Sequence, residues 1–138
     1  MNRFFVCAIS IFQIILLSSC AGSPAGLSMM SSQELHQASS PDLCNAYALN
    51  RSEKLRVELE RRHALPPSDW AHVDKHEIAT GMTVLGLICL MGAPDLDGDV
   101  NQFTSQQGVM TQWVYRSCQS CKAMYVYTKD GKVTGWQN

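Results

Sequence analysis

The Leu-Ser-Ser-Cys segment at positions 17–20 decides which part of this chain is available to fold. It ends an apolar run over residues 4–17, and Arg3 precedes that run. A basic start, an apolar middle and small residues at a cut site are typical of a bacterial secretory signal. A Cys directly after Leu-Ser-Ser predicts the lipoprotein version, in which Cys20 receives diacylglycerol and becomes the first residue of the mature protein. Residues 1–19 are therefore predicted to be a signal peptide that is removed.

Two other interpretations of the apolar run are a membrane-spanning helix and an ordinary cleaved signal peptide. A spanning helix needs about 20 apolar residues, whereas this run is shorter and Gln13 interrupts it. The residue after the Cys is Ala21. An Asp at that position favours inner-membrane retention in lipoproteins of this type, so Ala21 favours the outer membrane. We expect a protein anchored to the outer membrane by lipid on Cys20 and facing the periplasm.

The mature chain of 119 residues is long enough for one domain but not for two. Residues 20–40 are rich in Ser, Gly, Pro and Ala, so we predict the lipidated Cys and a flexible tether there. Residues 41–138 are predicted to form a single domain. Because Arg3 is lost with the signal peptide, ten Lys and Arg remain against twelve Asp and Glu. This near balance leaves no basic field for nucleic acid, which is not expected as a partner.

Four cysteines remain once the signal peptide is removed and Cys20 is lipidated. Four thiols in an oxidising periplasm are more often paired than free. The sequence allows three pairings of these cysteines. The simplest of the three joins Cys118 to Cys121 and Cys44 to Cys89.

The first part of the domain has helical patterns. Apolar residues recur at helical spacing after Pro41, and residues 52–63 carry opposite charges four positions apart. Pro66-Pro67 ends this second helix, and Ser68-Asp69 is predicted to cap a short turn after it. Thr83 and Gly92 are predicted to bound a further helix. That helix has no charge at all, so it should be buried on nearly all sides.

The patterns after Pro94 are those of strands. We predict strands over residues 99–104, 109–116, 124–128 and 132–137. Asp130-Gly131 between the last two is a strong hairpin signal. Helices followed by antiparallel strands predict an α+β fold, in which N-terminal helices pack on one face of a small antiparallel sheet of three to four strands.

Three motifs in the second half of the chain follow one another in a distinctive order. Gly-Met-Thr is followed after eight residues by Gly-Ala-Pro, then by Gln-Trp-Val-Tyr and an Asp-Gly hairpin. Together with the Leu-Ser-Ser-Cys segment, this order resembles the SmpA/OmlA (BamE-like) outer-membrane lipoprotein domain family. The match covers roughly residues 78–138 and leaves 41–76 as a helical extension. The residues that carry it are Gly81, Met82, Thr83, Gly92, Pro94, Trp113 and Tyr115.

The resemblance implies a scaffold or binding protein of a cell-envelope complex. The family's best-known member belongs to the machine that assembles β-barrels in the outer membrane, so that machine is the partner the resemblance implies. Two alternatives use a similar fold for binding: an inhibitor of a periplasmic hydrolase, and an accessory lipoprotein of a secretion apparatus. No small-molecule substrate and no cofactor are expected.

The Cys-Gln-Ser-Cys segment at positions 118–121 has three interpretations: a local disulfide, half of a metal site, or a redox pair. Redox pairs of this spacing typically lie at the start of a helix, where the dipole lowers the thiol pKa. This segment lies between two predicted strands, and a zinc site would need two more ligands. A disulfide that closes the hairpin is therefore favoured. A thiol oxidoreductase that uses Cys118 and Cys121 is the enzyme alternative.

Two polar clusters resemble metal sites. His72 and His76 are four residues apart, a spacing that metal ligands use, but surface histidines in a loop are favoured. Residues 95–101 have alternating acids as in a calcium loop, yet Val100 occupies the position that requires Gly, so a polar turn is favoured. No hydrolase, phosphate-loop or dinucleotide motif occurs. We therefore predict no catalytic residue and no metal, and we do not expect an enzyme.

Overall fold

The computed structural model describes residues 23–94, 99–106, 108–116, 118 and 120–138. Helices precede strands in this part of the chain, so the predicted α+β fold is confirmed. The helices are α1 (Pro24–Met29), α2 (Ser32–Leu35), α3 (Ser40–Asn50), α4 (Glu53–Arg61), α5 (Pro67–Lys75) and α6 (Val84–Met91). The strands are β1 (Val100–Ser105), β2 (Gly108–Tyr115), β3 (Met124–Lys129) and β4 (Lys132–Gln137).

The helical patterns around residues 41–63 correspond to α3 and α4. Ser39 caps α3, because its Oγ accepts a hydrogen bond from the Asp42 N–H at 3.2 Å. Arg51 ends α3 in the left-handed conformation, at φ 51°. Its guanidinium donates to the carbonyl oxygens of Val73 and Leu90 at 3.3 and 3.2 Å. The end of α3 is therefore tied to both α5 and α6.

Helix α6 lies at the centre of the core, as its charge-free sequence predicts. Leu87 and Cys89 are completely buried, and α6 packs along α3. A disulfide between Cys44 and Cys89 joins these two helices. Thr83 caps α6, since its Oγ1 accepts a hydrogen bond from the Gly86 N–H at 3.0 Å.

The strands form one antiparallel sheet in the order β1-β2-β3-β4. Asp130 and Gly131 connect β3 to β4 with φ angles of 50° and 76°. Two-residue hairpins favour positive φ at both positions, which explains why Asp-Gly is a reliable local signal. β3 and β4 also shift register between Tyr127 and Thr128, where the ladder has a bulge.

One edge of the sheet is covered by the segment that precedes α6. The Gly81 N–H donates to the Val133 carbonyl at 2.8 Å, and the Val133 N–H donates to the Met82 carbonyl at 2.8 Å. Gly81 has a φ of 88°, which favours glycine. The Gly-Met-Thr motif thus satisfies backbone groups of β4 that would otherwise form an open edge.

The helices pack on one side of the sheet, which we call the inner face. Val126 and Val133 are buried there in the same apolar core as the helices, with Trp113, Tyr115 and Met124 packed partly buried against it. Side chains alternate along a strand. The neighbours of these residues therefore lie on the opposite side, which we call the outer face.

The predicted flexible tether over residues 20–40 is wrong for its described part. This segment forms α1 and α2, and Leu27 and Leu35 are buried in the core. Ser23 caps α1, and Ser31 forms a capping box with Glu34. Three of the serines that suggest a linker by composition, Ser23, Ser31 and Ser39, are helix caps. The folded unit therefore includes residues before 41.

The predicted signal peptide and Cys20 lie outside the described residues, as do residues 21 and 22. Within the described part of the chain, no helix has the length and apolar character that crossing a bilayer requires.

Candidate functional site

The motif residue Thr83 is part of a buried polar contact that holds α5 against α6. Both its N–H and its hydroxyl donate to Asp69 Oδ2, at 3.0 and 2.6 Å. Asp69 is buried at 2% exposure, so its carboxylate depends on these donors. The prediction that Ser68-Asp69 caps the following turn is wrong, because Pro66 is the N-cap of α5 and Asp69 reaches Thr83 instead.

Gly86 provides the space for this carboxylate. A Cβ added at Gly86 would lie 2.5 Å from Asp69 Oδ2. A side chain at this position would therefore push Asp69 away from Thr83. Nothing in the sequence pairs Asp69 with Gly86, because only their contact in space shows that they act together.

The remaining motif residues also have structural contacts. Tyr115 donates its hydroxyl to the Gly92 carbonyl at 3.2 Å, and burial raises the pKa of the Tyr115 phenol. Trp113 donates its indole N–H to Thr128 Oγ1 at 3.0 Å. Gly92 ends α6 at a φ of 81°, and Pro94 follows it. Tyr115 attaches the end of α6 to the inner face, Trp113 links β2 to β3, and these residues do not converge on one site.

The second disulfide joins Cys118 to Cys121 in the connection between β2 and β3. The Cys121 N–H donates to the Cys118 carbonyl at 3.1 Å. In the described residues of this connection no helix is assigned. The disulfide therefore closes a short loop between these two strands.

A groove of about 350 Å³ lies beside this connection. Its lining combines apolar and cationic side chains, namely Met91, Tyr115, Arg116, Lys122 and Met124. Arg116 is already paired with the buried carboxylate of Asp99. This pairing uses one acid of the predicted calcium loop, whose residues 95–98 lie outside the described part of the chain.

The two histidines have different environments. His72 lies on α5 with a partly buried ring, whose Nδ1 has no hydrogen-bond partner among the described residues. His76 is exposed and ends the helix at a φ of 58°. The prediction that both lie in a loop is therefore wrong for His72. In the described residues, no three His, Cys, Asp or Glu side chains come together in a group that could hold a metal ion.

The outer face of the sheet carries a row of polar side chains across all four strands. Gln112 is the cross-strand neighbour of Asn101 and of Tyr127. Its amide N–H donates to the Tyr127 hydroxyl at 3.2 Å, and the Gln137 amide donates to the same hydroxyl at 2.7 Å. Asn101 donates to Gln112 Oε1 at 3.5 Å. This polar row fixes the side chains in the middle of the face.

A second row lies next to the polar row and is apolar at one end and cationic at the other. Phe103 pairs with Met110, Met110 with Lys129, and Lys129 with Lys132. Phe103 is 55% exposed and Met110 is 37% exposed. We call these four residues the outer-face row. At the other end of the face Val114 is buried, so the open part is the end that carries this row.

The outer-face row places an exposed aromatic ring and a thioether beside two ammonium groups. An exposed apolar patch rimmed by charge is typical of a protein-binding surface. Alternation along β2 could have assigned Met110 and Gln112 to one face. The registers of β1 and β3 against β2, which the sequence does not reveal, place Phe103 and Lys129 beside Met110, whereas the Asp130-Gly131 turn sets Lys132 opposite Lys129.

The chain was compared with protein-family models, with curated proteins and with solved structures, and no match was found.

Proposed function

We propose that this chain is a lipid-anchored binding protein that faces the periplasm from the outer membrane and docks an envelope protein on its outer-face row. The observation that supports this proposal most directly is the exposed Phe103–Met110 pair beside Lys129 and Lys132. The lipoprotein signal that ends at Cys20 supports the location. The resemblance to the SmpA/OmlA family makes the β-barrel assembly machine the first candidate partner.

The chemistry of the row defines the segment that would fit it. An apolar side chain of the partner would cover Phe103 and Met110, and a carboxylate beside it would meet the lysines. Aromatic residues and Met are enriched in protein interfaces, where they bury a large apolar area. The lysines would contribute mainly to orientation and to the rate of association.

Photo-crosslinking in intact cells tests the docking surface. A photoreactive phenylalanine analogue replaces Phe103, and the control carries it at Val57, which is also 55% exposed but lies on α4. We expect an adduct from position 103 and none from position 57. Equal adducts from both positions, or none from position 103, would contradict the proposal.

The charge requirement has its own test. The double substitution Lys129→Glu/Lys132→Glu should lower the yield of the position 103 adduct several-fold. Lys75→Glu, at the end of α5, is the control and should leave the yield unchanged. Mass spectrometry of the adduct identifies the partner. A barrel-assembly protein would support the implied complex, and a hydrolase or secretion component would favour one of the alternatives.

A further inference from the structure

A buried charged centre holds the segment before α3 against α4. Arg62 donates through its two terminal nitrogens to the carbonyl oxygens of Ala38 and Leu35, both at 2.6 Å. Its Nε donates to Glu58 Oε1 at 2.6 Å, and the His36 ring lies 3.3 Å from Glu58 Oε2. The side chain of Glu58 is 6% exposed and that of Arg62 is 17% exposed. Because charge-assisted hydrogen bonds in such surroundings are strong, they fix the end of α2.

Apolar burial and a lysine hold the earlier part of the same segment. Leu27 of α1 and Leu35 of α2 belong to the central apolar core. The Lys54 ammonium of α4 donates to the Met30 carbonyl between α1 and α2. Helix α1 packs along α3. Residues 23–39 are therefore attached to the domain along their length, and we call this segment the mount.

The mount leaves little free chain between the domain and the predicted lipid. Three peptide bonds separate Cys20 from Ser23, and they span at most about 10 Å in any conformation. A flexible tether over about 20 residues would span about 25 Å on average. The start of α1 is therefore confined to a region near the headgroups if Cys20 carries lipid.

We propose that the mount holds the folded domain directly against the lipid surface, with the start of α1 at headgroup level. This inference rests on the proposed lipidation of Cys20. Helix α1 has no charged residue, and Met29 at its end is 87% exposed. An uncharged helix with an exposed thioether can approach headgroups of either charge without repulsion. A compact domain of this length extends roughly 35 Å, so only partners close to the membrane are within its reach.

Hydrogen exchange of the purified protein tests whether the mount is fixed. Backbone amides within residues 24–38 should exchange slowly, and Arg62→Lys should speed them at least about tenfold, because a single ammonium cannot replace the guanidinium fork. Arg56→Lys is the control, since Arg56 contacts Glu60 and Asp74 rather than the mount. Fast exchange of residues 24–38 in the unaltered protein would overturn the proposal.

Energy transfer in vesicles tests the distance to the membrane. The lipidated protein, labelled at Met29→Cys, is reconstituted in vesicles of phosphatidylethanolamine and phosphatidylglycerol with acceptor-labelled headgroups. Inserting about 20 Gly and Ser residues between Gly22 and Ser23 should lower the transfer at least about twofold, because the domain can then leave the surface. Equal transfer with and without the insertion would overturn the proposal.

The mass of the N-terminal peptide distinguishes a failure of this inference from a failure of the proposed lipid anchor. If Cys20 carries no acyl chains, the anchor itself is wrong and the mount has no membrane to face. If the acyl chains are present but the insertion changes nothing, the anchor stands and the mount alone is rejected. A missing crosslink at Phe103 affects neither of these readouts.

Discussion

At the scale of single residues, the contact of Asp69 with Thr83 and Gly86 explains why the start of α6 has this sequence. Thr83 has two functions, because its hydroxyl accepts from the Gly86 N–H and donates to Asp69. The missing side chain of Gly86 leaves room for the carboxylate. The cost of a glycine within a helix is offset by the two hydrogen bonds that the buried Asp69 accepts through Oδ2.

We predict that Gly86→Ala lowers the free energy of unfolding by about 3 kcal/mol, because the new methyl group displaces Asp69 from its two donors. Urea unfolding at pH 7 measures this change. Gly135→Ala is the control, since a Cβ at Gly135 meets nothing within 4 Å. A loss of equal size in both variants would contradict the explanation.

Glu58 predicts a dependence of stability on pH. Hydrogen bonds from Arg61 and Arg62 lower the pKa of Glu58 from 4.5 to about 2. A lowered pKa in the folded state stabilises the fold at pH values above 4.5, and this stabilisation is lost as the pH falls from about 4.5 to 2. Its upper limit is about 3 kcal/mol.

The test compares the unaltered protein with Glu58→Gln. At pH 7 the variant should be less stable by about 2–3 kcal/mol, and this difference should shrink at pH 3. Glu60→Gln is the control, because Glu60 is about half exposed and its ion pair with Arg56 is worth little at such a surface position. A difference for Glu58→Gln that stays constant between pH 7 and pH 3 would disprove this role of the carboxylate.

At the scale of elements, the two disulfides differ in the length of chain that they close and in their burial. Cys44–Cys89 joins α3 to α6 across 45 positions of sequence and lies in the core. Cys118–Cys121 closes a connection across three positions at the surface. In the chain-entropy view, a disulfide stabilises more when it closes a longer loop in the unfolded chain.

We predict that Cys44→Ala/Cys89→Ala lowers the free energy of unfolding by about 4 kcal/mol, and Cys118→Ala/Cys121→Ala by about 1.5 kcal/mol. Urea unfolding of the two double variants measures both losses. Each double variant serves as the control for the other, because both replace two cysteines by alanine. A larger loss of stability from the surface pair would contradict the view that the disulfide closing the longer loop stabilises more.

At the scale of the whole molecule, the mount makes the folded unit larger than the domain predicted over residues 41–138. A chain that starts at Ser40 lacks Leu27 and Leu35, each of which contributes about 2 kcal/mol through burial. It also leaves Arg62 without two backbone acceptors. We predict that its melting temperature falls by at least about 10 °C.

A chain that starts at Ser23 is the control for this truncation, and it should melt at the same temperature as a longer chain made soluble by Cys20→Ala. Thermal unfolding followed by circular dichroism measures all three. Equal melting temperatures for the chains that start at Ser23 and Ser40 would show that the mount contributes nothing to the fold.

The order of helices and strands could be predicted because its signals are local. Thr83, Gly92 and the Asp130-Gly131 turn act within a few residues of their own position. The missing charges of α6 indicate burial without any knowledge of its neighbours. The structure joins Cys44 to Cys89 and Cys118 to Cys121, which is the simplest of the three pairings that the sequence allows.

The sequence by itself determined the α+β class, the approximate limits of most elements and the centre of the core, because periodicity and turn chemistry are encoded within short segments. Only the tertiary structure decided that residues 23–39 fold. A Ser-rich composition looks the same in a linker and in capped helices. The difference is that Arg62, which is paired with Glu58, donates a hydrogen bond to the Leu35 carbonyl of this segment. The outer-face row likewise depends on strand register, which brings Phe103 and Lys129 to either side of Met110. Contacts between distant residues form only when the whole chain has packed, and no local pattern records them.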